Sequence, residues 1–185
     1  MCFFNGHINE LGNVNEKKLK KLAKKVLSHA HLWDEEDKKK PNKFECFKTT
    51  RHIIFQYPVD LSDHTKSKYL PLWKDWKSLL KPIINEVTRS YNFKQGKTAR
   101  IMLANIMPGG VIGKHIDQNA SADVPHKIHV PLQTDKLAKF YEEDSSYYLE
   151  YGYAYEVNNK ILHGVKNESN NERIHLIFDY YEAGK

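Results

Sequence analysis

The sequence predicts a mainly β fold with helices: a double-stranded β-helix core, a jelly roll of the cupin kind, preceded by N-terminal helices. Two observations carry this. From residue 98 onward, β-branched and aromatic runs recur, separated by stretches rich in Asn, Ser and acidic residues at 119–122, 142–146 and 167–172. Before residue 98, two longer segments place apolar residues at helical spacing with charged residues between them. A chain of 185 residues suffices for one domain with its own core. We read 1–185 as that single domain, with 1–97 as helical and early-strand support and 98–181 as the jelly-roll core.

In chain order, residues 15–30 read as an amphipathic helix. Asn15 suits the N-cap, Glu16 the first turn, and Leu19, Leu22, Ala23, Val26, Leu27 and Ala30 form an apolar stripe. Residues 34–43 are charged and contain Pro41, so a loop is expected. A strand is expected at 49–56, and 58–67 reads as a polar loop over the functional site or its rim. A second helix spans about 71–91, with Pro71 at its start and Pro82 expected to kink or divide it. Trp73 and Trp76 follow the helix period, which favours core packing over ligand stacking. Strands are then expected at 98–107, 127–133, 147–156, 160–165 and 173–180.

Composition narrows the class. The chain is 40% hydrophobic and 28% charged with net charge +6. No apolar run approaches the ~18 residues of a membrane span, and the first six residues do not form a signal peptide. Only two cysteines occur, Cys2 and Cys46. No disulfide framework is expected, and the cytoplasm is the expected compartment. The positive charge is nearly all lysine: arginine occurs only at Arg51, Arg89, Arg100 and Arg173. Without a nucleic-acid motif, this favours a solvated lysine-rich surface over nucleic-acid binding.

The chemistry concentrates around Pro108-Gly109-Gly110-Val111-Ile112-Gly113-Lys114-His115-Ile116-Asp117. His115 and Asp117 offer a nitrogen and an oxygen ligand from one short segment, two positions of a facial metal triad. His163 would complete two histidines and one carboxylate, the pattern of non-haem Fe(II) oxygenases. Arg173, ten residues further on, opens an alternating strand where a guanidinium can fork onto the carboxylate of a dicarboxylic co-substrate. Strand parity puts Lys127 and His129 on one face, opposite Ile128, Val130 and Leu132. It likewise puts Arg173, His175, Ile177 and Asp179 opposite Ile174, Leu176, Phe178 and Tyr180. Polar groups aimed inward on both strands need partners or a ligand. Outward polar alternation on an ordinary antiparallel sheet is the competing interpretation of these two strands; the triad favours a site. Arg51 could anchor a substrate carboxylate, although a surface arginine fits it better.

From Met102 to about Tyr181 the chain resembles the aspartyl/asparaginyl β-hydroxylase-like branch of the 2-oxoglutarate- and Fe(II)-dependent dioxygenases, which includes the cis-proline hydroxylases. The resemblance rests on Pro108-Gly109 before His115, on Lys127-Ile128-His129-Val130-Pro131-Leu132, on Gly152 before His163, and on Arg173. It implies that His115 and His163 hold iron and that Arg173 binds the distal carboxylate of 2-oxoglutarate. It implies that Lys127 and His129 also face the co-substrate. Asp117 stands where peptidyl members have glycine, which points to members with a full triad. Lys127 replaces an arginine, and Ala104 a serine that touches the co-substrate. The implied function is hydroxylation of an amino acid, small metabolite or peptidyl side chain with Fe(II), 2-oxoglutarate and dioxygen, no catalytic residue being needed beyond the metal ligands. The alternative is a non-catalytic cupin-like module whose basic surface binds an acidic partner. Substrate-binding residues and oligomeric state are not read from the sequence.

Overall fold

The computed structural model describes residues 6–41, 43 and 45–184; Cys2 and most of the segment examined for a signal peptide lie outside them. The chain order is β1 (Ile8–Asn13), α1 (Glu16–Ser28), α2 (Leu32–Asp37), β2 (Thr50–Pro58), β3 (Ser67–Tyr69), α3 (Trp73–Val87), β4 (Gly96–Ile106), β5 (Val111–His115), β6 (His126–Gln133), β7 (Ala138–Glu142), β8 (Ser145–Tyr147), β9 (Tyr153–Val157), β10 (His163–Asn167) and β11 (Arg173–Glu182). The strands form two antiparallel sheets, a seven-stranded one ordered β1-β9-β6-β11-β4-β2-β3 and a four-stranded one ordered β5-β10-β7-β8. This is the expected mainly β jelly roll with helices.

The helices cover the outer face of the large sheet. Leu19, Leu22 and Val26 of α1 and Trp76, Leu80 and Ile83 of α3 pack in one apolar cluster with Leu103, Ile128, Leu176 and Phe178. The parity expected for β6 and β11 holds: their apolar residues face the helices, and their polar residues face the small sheet. Asn15 caps α1 by accepting a hydrogen bond from the Lys18 amide. Lys18 ties α1 to α3 through Glu86 at 2.6 Å and the Pro82 carbonyl at 3.2 Å. Pro82 does not divide α3, which runs through it because Leu80, Ile83 and Ile84 on either side are buried. Trp76 is core, as its spacing indicates, while Trp73 stacks on Tyr69 with ring centroids 4.6 Å apart.

Several short elements depart from the expectation. The charged stretch after α1 contains α2 because Leu32 and Trp33 are buried there. The single strand expected at 147–156 is two: Gly152, at φ +95°, turns the chain from β8 in the small sheet to β9 in the large one. The strand expected at 160–165 starts later, since the Asn158 side chain accepts from the Lys160 amide in a local turn. Strands β1, β3, β5 and β7 were not expected, being short and partly polar.

Two features fix the ligand-bearing segment. Asn167 donates from its side chain to the Ile106 and Met107 carbonyls, and its backbone exchanges hydrogen bonds with Gly109 and Gly110, pinning the Pro108–Gly110 turn to the end of β10. Gly164 packs against β5 so closely that a Cβ there would lie 2.7 Å from the Ile112 carbonyl oxygen. Gly164→Ala must therefore push β5 away from β10. We expect it to cost about 1–3 kcal/mol and to weaken divalent-metal binding, as measured by denaturant unfolding and metal titration; wild-type metal affinity would show that the strands' spacing does not control the site.

Candidate metal centre and co-substrate cavity

β5 and β10 pair with His115 directly opposite His163. Two residues past β5, the Asp117 amide donates to the Asn159 carbonyl, which turns its carboxylate back toward the histidines. One ligand atom from each of His115, Asp117 and His163 lies within 4.8 Å of the others. Each imidazole is oriented by a backbone carbonyl: Nδ1 of His115 lies 2.8 Å from the Gly113 oxygen, and Nδ1 of His163 lies 3.0 Å from the Ile161 oxygen. With Nδ1 donating, Nε2 keeps its lone pair for a metal. The hydrogen bond to Asp117 pushes the His115 pKa up, while burial pushes that of His163 down. Burial opposes the charge on Asp117, but Lys127 and the His115 hydrogen bond hold its carboxyl well below the usual carboxylate range. The donor set fits a facial triad: two neutral nitrogens and one carboxylate on one side, the other side facing the cavity.

Behind the triad a cavity of about 70 Å³ runs between the sheets, lined by Met102, Ala104, His129, Phe140, Arg173 and Ile177 among others. Arg173, at its far end, is 2% exposed, and its Nε and Nη2 have no hydrogen-bond partner. It enters no ion pair among the described residues, and burial alone brings its pKa down to about 9. A buried guanidinium with idle donors is costly unless an anion meets it. None of the described residues supplies one, so the residues fit a carboxylate-bearing co-substrate.

Lys127 also lines this cavity, but its ammonium is engaged, 3.2 Å from Asp117 Oδ2 and 3.3 Å from Asp179 Oδ1. Register explains this. Asp179 of β11 is paired with Arg100 of β4 on one side and Lys127 of β6 on the other, giving a buried cation–anion–cation row across three strands. His129 lies in the next row, beside Ile177. Burial and the Arg173 charge keep His129 well below its ordinary pKa. His175 lies behind it, 5.8 Å ring to ring, with both nitrogens unpartnered. Arg51 points elsewhere, to Asp34 and Glu172. His126 pairs with Glu156 instead of joining the triad.

Sequence reasoning missed Asn159, whose side chain donates to Asp117 Oδ2 and the Ala122 carbonyl, and Asn167, which holds the turn. Neither carries a signal in the sequence, since both act through loop geometry. Arg100 was legible by parity: it shares a face with Met102 and Ala104 on a predicted strand.

A jelly roll that turns two histidines and a carboxylate toward a cavity closed by a buried arginine belongs to the class of 2-oxoglutarate- and Fe(II)-dependent oxygenases. The sequence profile of the aspartyl/asparaginyl beta-hydroxylase family matches residues 73–183, and the chain belongs to that family. No curated protein sequence matches it. Among solved structures, it is similar to the viral collagen prolyl hydroxylase of Paramecium Bursaria Chlorella virus-1 in complex with 2-oxoglutarate, with TM-score 0.58 and 9% identity over 97% of this chain and 98% of that one. HygX from Streptomyces hygroscopicus, solved with nickel, 2-oxoglutarate and hygromycin B, gives TM-score 0.55 and 12% identity over 96% and 83%. An oxidoreductase of the 2OG-Fe(II) oxygenase family from Burkholderia pseudomallei gives 0.53 and 13% over 92% and 93%. At these identities the likeness is one of fold.

The row of buried charges makes a prediction. Asp179→Asn leaves Arg100 and Lys127 sharing one fewer carboxylate in the interior. We expect a loss of about 3–5 kcal/mol in denaturant unfolding, with a change below about 1 kcal/mol showing that the row is not a structural support.

Proposed function

We propose that the chain is a hydroxylase of an amino acid, a small metabolite or a peptidyl side chain, with Fe(II) held by His115, Asp117 and His163 and 2-oxoglutarate held by Arg173. The observation that carries this is the unpartnered guanidinium of Arg173 in the same cavity as the triad. A metal-free binding module with a lysine surface would have no use for it. When bound, iron and 2-oxoglutarate would supply oxidation by dioxygen, one oxygen atom going to the substrate as a hydroxyl and the other to the succinate formed as 2-oxoglutarate loses carbon dioxide.

The protein's own part is positional. The Gly113 and Ile161 carbonyls aim the two imidazoles. Lys127 occupies one oxygen of Asp117, leaving Oδ1, which lies 3.6 Å from His115 Nε2, to face the metal position. Arg173 orients the co-substrate by a two-point contact that a point charge cannot reproduce. Met102, Ala104 and Ile177 give the cavity an apolar wall that excludes water. His129 lines the same wall and is proposed as a further co-substrate contact, and Lys127 reaches the co-substrate only while remaining paired with Asp117 and Asp179. A carboxylate at position 117 would serve as a metal ligand and leave no vacancy for a halide, so the product should carry a hydroxyl and no halogen.

The reading is tested by succinate release from 2-oxoglutarate in the presence of Fe(II) and a panel of free amino acids and short peptides; stimulation by none of them, together with no 2-oxoglutarate binding, would overturn it. His163→Ala should lose metal binding and turnover while remaining folded, and unchanged metal content would count against the assignment. Arg173→Lys should raise the 2-oxoglutarate requirement about tenfold or more while the metal still binds, so an unchanged requirement refutes the role given to Arg173. Asp117→Gly should greatly reduce hydroxylation. A chlorinated product from the unsubstituted enzyme in chloride buffer, read by mass spectrometry, would show that Asp117 is not a ligand during turnover.

A further inference from the structure

A second pocket, of about 250 Å³, opens beside the triad and is lined by Tyr57, Arg100, Met102, Ile116, Asp117 and Lys127 among others. It shares Met102, Asp117 and Lys127 with the co-substrate cavity. Asp117 therefore borders both spaces, while Arg173 lines only the co-substrate cavity and Arg100 only this pocket. Its one arginine is held rigidly. The Arg100 guanidinium sits over the Tyr57 ring, 5.0 Å from the ring centre, and its Nη1 lies 3.1 Å from Asp179 Oδ2. Its Nε is buried without a partner.

The charges around this pocket do not balance. Asp179 serves both Arg100 and Lys127, and the second carboxylate near Lys127 is Asp117, which the oxygenase reading assigns to the metal. Arg100, Lys127 and Arg173 thus have only Asp117 and Asp179 as ion-pair partners among the described residues. Lys127 contacts both Asp117 and Asp179, and Arg173 is assigned to the co-substrate, whereas Arg100 has among the described residues only the Asp179 carboxylate that it shares with Lys127. A buried guanidinium that shares its carboxylate with a lysine and keeps an unpartnered Nε favours a further anion, and the guanidinium fork favours a carboxylate.

Resting on the oxygenase reading above, we propose that Arg100 determines specificity by binding a carboxylate of the substrate, placing a neighbouring C–H bond against the metal face. The carboxylate could come from two sources, the α-carboxylate of a free amino acid or the side chain of an aspartyl residue in a peptide. The pocket's polar rim, Gln118 and Asn119, is compatible with the amide or amine groups of both.

The test titrates the protein, loaded with Ni(II) and 2-oxoglutarate, with matched acids and neutral counterparts: free L-amino acids against their α-amides, and end-blocked aspartyl peptides against the asparaginyl peptides. In at least one pair the acid should bind about tenfold or more tightly, and the pair that does so identifies the source. In Arg100→Gln this ratio should fall to near one, and Arg100→Lys should keep part of it. Amides that bind as well as acids in every pair overturn the proposal, as does an Arg100→Gln variant with the original ratio. If Arg100→Gln does not fold, the unsubstituted protein and Arg100→Lys still decide the matter. A protein that binds Ni(II) and 2-oxoglutarate without any preference for acids refutes only the carboxylate subsite. One that binds neither refutes the oxygenase reading and the subsite with it.

Discussion

The site depends on one buried ammonium. Lys127 lies between Asp117, on the segment that follows the small sheet's edge strand, and Asp179, in the middle of the large sheet. Taking a lysine out of water is expensive, and here two carboxylates offset the cost and hold its charge above the ordinary lysine range despite burial. The lysine thereby joins the proposed metal-binding segment to the most deeply buried part of the protein. Without it, the Asp117 carboxylate would retain among the described residues the Asn159 side chain and the neighbouring imidazole as polar partners.

The arrangement follows from how β11 divides its residues. One face of the strand, Ile174, Leu176 and Phe178, seals the helical layer. The other face, Arg173, His175, Ile177 and Asp179, is buried as well, yet three of the four side chains are polar. A strand in the centre of a seven-stranded sheet that carries this much buried polarity is costly for stability alone. The polarity is ordered: the charge row at Asp179 adjoins the pocket lined by Arg100 and Lys127, and Arg173 lines the cavity behind the triad.

Much of this was legible in the sequence because the long elements are locally determined. α1 announces itself by its stripe and its Asn15 cap, and β4, β6 and β11 by alternation. His115, Asp117, His163 and Arg173 could be nominated because two histidines, a carboxylate and an arginine in that order and spacing resemble one family's pattern, and the fold brings the first three together. The Arg100–Asp179–Lys127 row could not be found, although all three residues sit on predicted strands. Its existence depends on which residue of β4 and of β6 faces Asp179, and register is set by tertiary pairing. The short strands were hidden for a related reason: β5, β7 and β8 are too brief and too polar to be strands except by pairing with β10 and with each other.

The two halves of the site are unequally anchored. His115 sits at the end of β5, an edge strand whose side chains are largely exposed, whereas Arg173 begins a strand flanked on both sides and almost wholly buried. Local opening should therefore follow a hierarchy, with amide protons of β5 exchanging with solvent long before those of β11. A divalent ion shared by His115, Asp117 and His163 would act as a clasp on that frayed edge, adding stability in proportion to the logarithm of its free concentration over its dissociation constant. In such a protein the supply of metal governs how long the small sheet stays closed as well as whether the chemistry can run.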